Sequence, residues 1–286
     1  MTEKKLAGQI AIVTGSSRGV GKGIALELGE AGATVYVTGR TLDDSQSYVP
    51  GTIGATADEV TRLGGKGIPV RCDHSRDEEI KALIERVHSE QGRIDILINN
   101  VFTLPSENVF EGKFWEHSIQ LWDDLLQVGC RGHYVASHAV APIMVEQKGG
   151  LIVNISSFAG AAYVFSVPYG VGKAAVDRMA KDMAVELGPF GVTCVSLWPG
   201  VVRTEYLTRS HAEGEVPFEL ENGESPRFTG RAVVALASDP KRMDKTGAVH
   251  ICYELAHEYG FTDIDGRQPP SLGVQMGMQP APTEGA

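Results

Sequence analysis

Short apolar runs alternate with longer amphipathic segments from residue 10 to about residue 250. The apolar runs are nearly continuous and rich in β-branched residues, which is typical of strands buried on both faces. These predicted strands cover residues 9–14, 33–38, 67–71, 94–99, 151–156, 192–198 and 247–252. The intervening segments have helical spacing, and they cover residues 19–32, 56–64, 76–92, 115–147 and 168–187.

Strand–helix–strand alternation indicates parallel strands with right-handed crossovers and helices on both faces of the sheet. We therefore predict an α/β fold with a doubly wound parallel sheet, a Rossmann fold in three α/β/α layers. No internal repeat or linker divides the chain, so we expect a single domain over residues 1–268. Residues 269–286 are rich in Pro, Gly, Gln and Met and are predicted to form a disordered tail.

The first predicted strand runs into TGSSRGVG, residues 14–21, and a predicted helix follows at once. Gly15, Gly19 and Gly21 have the spacing G-x-x-x-G-x-G. Small residues let the backbone approach a pyrophosphate, and the helix N-terminus supplies free N–H groups with a partial positive charge. At this position in a doubly wound sheet, the turn predicts dinucleotide binding.

The end of the second predicted strand indicates which dinucleotide binds. An NAD site usually has an acidic residue here that accepts the ribose 2′-hydroxyl. This chain has Arg40 instead, and Arg18 lies inside the glycine turn. Two guanidinium groups at the adenosine ribose would pair with a 2′-phosphate, so we predict NADP(H) as the cofactor.

The segment VPYGVGKAA, residues 167–175, places Tyr169 four residues before Lys173. At this spacing both side chains lie on one face of a helix. A nearby positive charge favours the phenolate and lowers the pKa of a tyrosine from its usual value of about 10. The pair is therefore a candidate proton donor with its electrostatic partner.

Further motifs follow in order: NN at 99–100, Ser157, YGVGK at 169–173 and PGVVRT at 199–204. With the glycine turn, they resemble the short-chain dehydrogenase/reductase family, in its NADP-preferring form, over residues 8 to about 250. Four stretches, at 122–134, 167–175, 195–200 and 259–267, are similar to one vertebrate-type subfamily in particular.

The resemblance implies a site in which Ser157, Tyr169 and Lys173 are catalytic. Tyr169 would protonate the carbonyl oxygen that Ser157 hydrogen-bonds, and Lys173 would hold the nicotinamide ribose and lower the pKa of Tyr169. Ser156 is the alternative to Ser157, although the family's serine lies three residues before a small residue, here Gly160. The implied cofactor contacts are Gly15, Ser17, Arg18, Gly19, Val20, Gly21, Arg40, Asp73, Asn99, Tyr169, Lys173, Val202 and Thr204.

Two positions depart from the family pattern. The family's NNAG turn is NNVF here, at residues 99–102. The helix asparagine of the family's catalytic tetrad falls on Gly129. In the family, a backbone carbonyl at this position holds a water that passes a proton to the lysine, and glycine can supply that carbonyl as well as asparagine can.

Composition narrows the class of partner. The formal net charge of −10 disfavours nucleic acid and anionic membrane surfaces. The four cysteines are scattered, no apolar N-terminal segment resembles a signal peptide, and no run is long enough to span a bilayer. We therefore expect a cytoplasmic protein. The eight histidines and the DIDG segment at 263–266 lack metal-ligand spacing, so no metal site is predicted.

The leading functional prediction is an NADPH-dependent carbonyl reductase, or an alcohol dehydrogenase in reverse. Residues 205–228 are predicted to form a substrate lid, and its glutamates favour a neutral substrate: Glu213, Glu215, Glu219, Glu221 and Glu224. Phe158, Tyr163 and Phe165 either line an apolar pocket or pack in the core. The alternatives are a non-catalytic NADPH-binding regulator and a C=C reductase. A homodimer or homotetramer is expected, paired through the helices at 118–147 and 168–187.

Overall fold

Seven parallel strands form one sheet in this computed structural model, which describes residues 4–103, 112–216 and 220–271. The strands are β1 (Ile10–Val13), β2 (Thr34–Gly39), β3 (Lys66–Arg71), β4 (Ile96–Asn99), β5 (Gly150–Ile155), β6 (Val192–Trp198) and β7 (Val249–Ile251). Their order is β3-β2-β1-β4-β5-β6-β7. Val13 of β1 pairs with Val37 of β2 on one side and with Ile98 of β4 on the other. The strand order reverses between β1 and β4, where doubly wound sheets bind their ligands.

Nine α-helices lie in the described residues. They are α1 (Gly19–Glu30), α2 (Ile53–Arg62), α3 (Asp77–Gln91), α4 (Ile119–Leu126), α5 (Gly132–Gln147), α6 (Val167–Leu187), α7 (Glu205–Ala212), α8 (Pro226–Ser238) and α9 (Cys252–Tyr259). Helices α1, α2, α8 and α9 pack on one face of the sheet, and α3, α5 and α6 pack on the other. The predicted three-layer Rossmann architecture is confirmed. No helix in the described ranges has both the length and the apolarity needed to cross a bilayer.

All seven predicted strands are present, with ends that differ by at most two residues. The predicted helical segment at 115–147 is instead divided. It begins at Ile119, and a π-helical turn, Gln127–Arg131, separates α4 from α5. At the other end of the chain, Pro269 and Ser271 are buried, so the packed domain extends beyond residue 268. The rest of the predicted tail, residues 272–286, lies outside the described residues.

Helices α1 and α8 touch through their backbones. A Cβ atom at Gly23 would lie 2.0 Å from the carbonyl oxygen of Pro226, and one at Gly230 would lie 2.6 Å from that of Gly23. Any side chain at these positions would therefore force the helices apart. This contact fixes α1, whose N-terminus forms part of the cleft described next.

Candidate active site

A cavity of about 420 Å³ opens at the carboxyl ends of the strands, across the point where the strand order reverses. It is lined by the loops that follow strands β1 to β6 and by the start of α6. The lining includes these predicted residues: Gly15, Ser17, Arg18, Gly19, Val20, Gly21, Arg40, Asp73, Ser157, Tyr169, Lys173, Val202 and Thr204. Of the predicted site residues, Asn99 does not line it.

The glycine turn is closed by contacts that exclude side chains. Gly15 has a φ of +64°, and a Cβ atom there would lie 2.7 Å from the Cα of Val101. A Cβ atom at Gly21 would lie 2.4 Å from the carbonyl oxygen of Gly15. At the helix start, the Gly19 N–H donates to a carboxylate oxygen of Glu205, 2.7 Å away. The turn therefore already binds an anionic group, as expected for a helix N-terminus.

Both predicted arginines line the cavity, but their surroundings differ. The Arg40 side chain is 62% exposed, and its Nη1 lies 3.9 Å from Oδ2 of Asp73. Arg18 instead donates to the carbonyl oxygens of Pro50 and Gly51, at 3.1 and 2.5 Å. Arg40 is therefore the guanidinium more available to a ligand.

The prediction for Asn99 needs correction. Asn99 ends strand β4 rather than lying in the turn after it, and its side chain is fully buried. Its amide donates to Ser137 and Asn154, which ties β4 to α5 and β5. The neighbouring Asn100 lines the cavity and donates to the carbonyl oxygen of Gly15, 2.9 Å away. Successive strand residues point to opposite faces, so a shift of one position along the chain exchanges the buried asparagine, Asn99, for the one that lines the cleft, Asn100.

The three catalytic candidates lie together in the wall of the cavity. Ser157 caps the short 3₁₀ turn Phe158–Gly160 and accepts the Ala159 N–H at 3.2 Å. It also hydrogen-bonds Tyr169, which lies in the first turn of α6. The competing candidate, Ser156, donates to the backbone carbonyl of Lys173 instead. Ser157 is thus the serine that meets the tyrosine.

The electrostatics of this group differ from the expectation that Lys173 lowers the pKa of Tyr169. Burial raises the pKa of Tyr169, and the hydrogen bond with Ser157 opposes that rise. Burial lowers the pKa of Lys173 to about 8, while Asp177 and Cys130 act to raise it. Lys173 Nζ donates to the carbonyl oxygen of Ile155 at 3.1 Å and lies 5.7 Å from the Tyr169 ring centroid. Loss of hydration therefore dominates over attraction between the two groups.

Asp177 is a half-buried carboxylate that sequence reasoning missed. It accepts hydrogen bonds from Ser196 at 2.5 Å and from the Trp198 indole at 3.0 Å, both on β6. A Cβ atom at Gly160 would lie 2.2 Å from Oδ2 of Asp177, which explains why this position must be small. The available signal was spacing, because Asp177 follows Lys173 by four residues on one helix face.

Phe102 is a second residue that sequence reasoning missed, in the turn where NNVF departs from the family pattern. Its ring lines the cavity and meets the Tyr169 ring edge-on, with centroids 5.8 Å apart. Lys173 Nζ lies 5.5 Å from the same ring. Phe165 lies against Tyr169 at 5.2 Å between centroids. The catalytic tyrosine candidate is therefore held between two aromatic rings.

The sequence did not decide whether Phe158, Tyr163 and Phe165 line a pocket or pack in the core, and the structure separates them into two groups. Phe158 and Phe165 line the cavity, and Phe158 is also buried against Trp198. Tyr163 is 72% exposed and is not among the lining residues. The wall of the cavity near Tyr169 is therefore largely apolar.

The predicted lid contains helix α7, which begins at Glu205 directly after the cap residue Thr204. Glu219, within 217–219, lies outside the described residues. Glu224 is not a surface acid. It is 2% exposed, accepts the Gly200 N–H at 2.9 Å, and burial raises its pKa to about 8. Phe228 at the end of the segment belongs to the core, so the lid is shorter than predicted at its C-terminal end.

Gly129 lies in the π-helical turn and borders a second cavity of about 10 Å³, enough for about one water. Tyr169 and Lys173 line the same cavity. A π turn shifts the regular helical hydrogen-bond pattern and often marks a functional position.

Comparison with known proteins agrees with this geometry. A family model described as short chain dehydrogenase matches residues 9–214. The mouse protein Dehydrogenase/reductase SDR family member 1 is 46% identical over 274 residues, covering 92% of this chain and 85% of that protein. A 3-oxoacyl-[acyl-carrier-protein] reductase of Synechocystis is 30% identical, covering 85% and 94%. The crystal structure of a metagenomic short-chain oxidoreductase in complex with NADP has a TM-score of 0.69 at 28% identity, covering 86% of this chain and 97% of that one. These matches extend over most of the fold, and the chain belongs to the short-chain dehydrogenase/reductase family.

Proposed function

We propose that the protein is an NADPH-dependent reductase that converts a neutral aldehyde or ketone to an alcohol. The observation that carries this proposal is the meeting of Ser157, Tyr169 and Lys173 in the same cleft that the glycine turn lines. Two comparisons support it: one relative is named as a 3-oxoacyl reductase, and one similar structure holds NADP.

The residues of the cleft fit a phosphorylated dinucleotide. The glycine turn leaves no room for side chains, and its first helical N–H already donates a hydrogen bond to a carboxylate. Arg40 offers an exposed guanidinium at the other end. Val202, Thr204 and Lys173 also line the cleft, and Lys173 would hold the nicotinamide ribose. When bound, NADPH supplies the hydride.

Tyr169 holds the proton that the product oxygen requires. Burial raises the pKa of Tyr169, which keeps the hydroxyl protonated at neutral pH and suits the reductive direction. Ser157, hydrogen-bonded to Tyr169, can bind the same carbonyl oxygen and stabilise its growing negative charge. Lys173 carries a positive charge below about pH 8, and this charge favours the phenolate that remains on Tyr169 once its proton has been transferred.

The wall beside Tyr169 favours an uncharged substrate. Phe102, Phe158 and Phe165 supply aromatic surface, while no basic side chain of the described lid lines the cavity. A charged substrate group placed against these rings would lose hydration without gaining a charged partner from the lid.

The test is NADPH oxidation with a panel of neutral aldehydes, ketones and quinones. We expect turnover with at least one compound and loss of that turnover in Tyr169→Phe. A non-catalytic regulator would bind NADPH, but neither the natural protein nor Tyr169→Phe would oxidise it with any compound of the panel. Reduction of a C=C bond with the carbonyl left intact would also contradict the proposal.

A further inference from the structure

Helix α7 carries a carboxylate into the anion-binding turn. Glu205 is the first residue of this helix, and its Oε2 accepts the Gly19 N–H at 2.7 Å. Gly19 is in turn the first residue of α1, with a φ of +57° that suits glycine. This N–H lies at the positive end of α1, the end that binds phosphate groups in dinucleotide folds.

A second set of contacts holds the other end of α7. Arg209 donates to the carbonyl oxygen of Tyr48 at 2.5 Å, and its guanidinium lies 3.6 Å from the centroid of the Tyr48 ring. Glu213 accepts from Arg209 at 2.9 Å and from the Tyr48 hydroxyl. Tyr48 precedes the segment at 50–51 that Arg18 binds. Helix α7 is thus attached both to the glycine turn and to the loop near Arg40.

We propose that Glu205 is an internal ligand of the cofactor's pyrophosphate site and that α7 is a strap that must detach before the cofactor binds. One N–H cannot serve a carboxylate and a phosphate at once, and the two anions repel each other at short range. Glu205 thereby sets the cofactor affinity. This inference rests on the proposed use of a dinucleotide cofactor.

The apparent affinity for the cofactor depends on the fraction of the protein in which the glycine turn is not bound to Glu205. If the competent state is only partly populated, the apparent Kd is the intrinsic Kd divided by that fraction. Replacing the Glu205 carboxylate weakens the state in which α7 is bound to the glycine turn, and it leaves the residues of that turn unchanged. The variant should therefore bind the cofactor more tightly than the natural protein.

The first experiment measures NADPH binding without substrate, by fluorescence titration of the full-length protein. We expect Glu205→Gln to lower the Kd by about three- to tenfold, which corresponds to about 0.7–1.4 kcal/mol. The matched control is Glu215→Gln, which removes one negative charge from an exposed residue of the same lid segment. The control should leave the Kd within twofold of the natural value.

The second experiment separates displacement from simple charge repulsion. In stopped-flow mixing, the observed rate of NADPH binding to the natural protein should level off as NADPH increases, because strap release becomes limiting. In Glu205→Ala the rate should remain linear to higher concentration. Arg209→Ala, which loosens the other end of α7, should shift the plateau upward.

Three results would overturn the inference or its basis. Weaker or unchanged NADPH binding by Glu205→Gln would mean that the carboxylate is not a competitor. A rate without a plateau in the natural protein, or the same plateau in Glu205→Ala, would exclude strap release. Failure of the natural protein itself to bind NADPH would contradict the proposed function, and this result is distinct because it precedes any comparison of variants.

Discussion

Burial controls the protonation of the two ionisable side chains at the centre of the site. It raises the pKa of Tyr169 and lowers that of Lys173 to about 8, so each group is displaced toward its neutral form. At neutral pH the tyrosine therefore holds its proton and the lysine is still mostly charged. This is the pair of states that protonation of a product alkoxide needs.

The first prediction concerns the proton donor and its charged neighbour. Tyr169→Phe removes the proton, and Lys173→Ala removes the positive charge that stabilises the phenolate left after proton transfer. Each variant should lose about 10²–10⁴ in kcat, the usual effect of losing a positioned acid–base group. Steady-state rates with saturating NADPH would measure this, and near-full activity of Tyr169→Phe would disprove the mechanism.

The second prediction is the direction of the pH dependence. Lys173 is protonated below about pH 8 and neutral above it, so activity should fall as pH rises through this range. The ionisable groups that face it are Tyr169 and Asp177 on α6, Cys130 on the π turn, and the buried His133 on α5. Asp177→Asn removes the carboxylate that raises the lysine pKa, so the alkaline limb should move to lower pH.

The measurement is kcat/KM for the carbonyl substrate against pH at saturating NADPH. Asp182→Asn is the matched control, since Asp182 lies on the same helix in an exposed pair with Arg178. The control should keep the natural profile. An alkaline limb that does not move in Asp177→Asn, or that moves upward, would show that Asp177 does not act through the lysine charge.

The third prediction concerns the dinucleotide that the protein prefers. Arg40 lies at the end of β2 with no acidic residue beside it in the sequence, so a 2′-phosphate should gain a charged partner. NADPH should bind at least about 100-fold more tightly than NADH, a difference of about 2.7 kcal/mol. Fluorescence titration of both cofactors would test this. Equal affinities, or an Arg40→Asp variant that still prefers NADPH, would refute it.

At the level of elements, the π-helical turn places Gly129 beside the small cavity that Tyr169 and Lys173 also line. Gly129 does not adopt a left-handed conformation, and a Cβ atom there would make an ordinary 3.5 Å contact with Phe102. The structure therefore leaves space for alanine. The family resemblance assigns to this position a water on a backbone carbonyl, a role that needs no side chain.

The fourth prediction follows from that geometry. Gly129→Ala should cost less than about tenfold in turnover, about 1.4 kcal/mol, because the backbone carbonyl is retained. Lys173→Ala, measured in parallel, should be far more damaging. If Gly129→Ala is folded and yet as impaired as Lys173→Ala, the glycine has another role in the site.

Patterns along the chain predicted the elements better than the contacts between them. Continuous apolar runs located all seven strands, because strands covered on both faces leave a strong local signal. The π turn was not predictable, since the helical spacing of residues continues through it. Phe102, Asp177 and Glu205 gain their positions from neighbours distant in sequence, so their contacts required the structure.

For the whole molecule, apolar side chains on the outer face of α4, α5 and α6 remain exposed. Ile119 is 82% exposed and Val185 is 75% exposed, and three further residues share this property: Trp122, Tyr134 and Val171. Exposed apolar surface on neighbouring helices is characteristic of sites where proteins associate. These are the helices through which the sequence predicted pairing.

The fifth prediction is that the protein is a homodimer or homotetramer. Light scattering at micromolar concentration should give a multiple of the 30.6 kDa chain mass. Ile119→Lys, which places a charge on the exposed face, should shift the population toward the monomer. Leu42→Lys is the control, because Leu42 is also exposed but lies after β2. A purely monomeric natural protein would contradict the prediction.

The crossing of α1 and α8 has a consequence for how amide hydrogens exchange with solvent. Gly23 and Gly230 bring the two backbones into contact, with no side chain between them to act as a spacer. Neither helix can then open on its own, and their amides share a single opening event. Helix α7 is held instead by side chains, through Glu205 to the start of α1 and through Arg209 to Tyr48. We therefore expect the amides of α7 to exchange with solvent faster than those of α1 and α8.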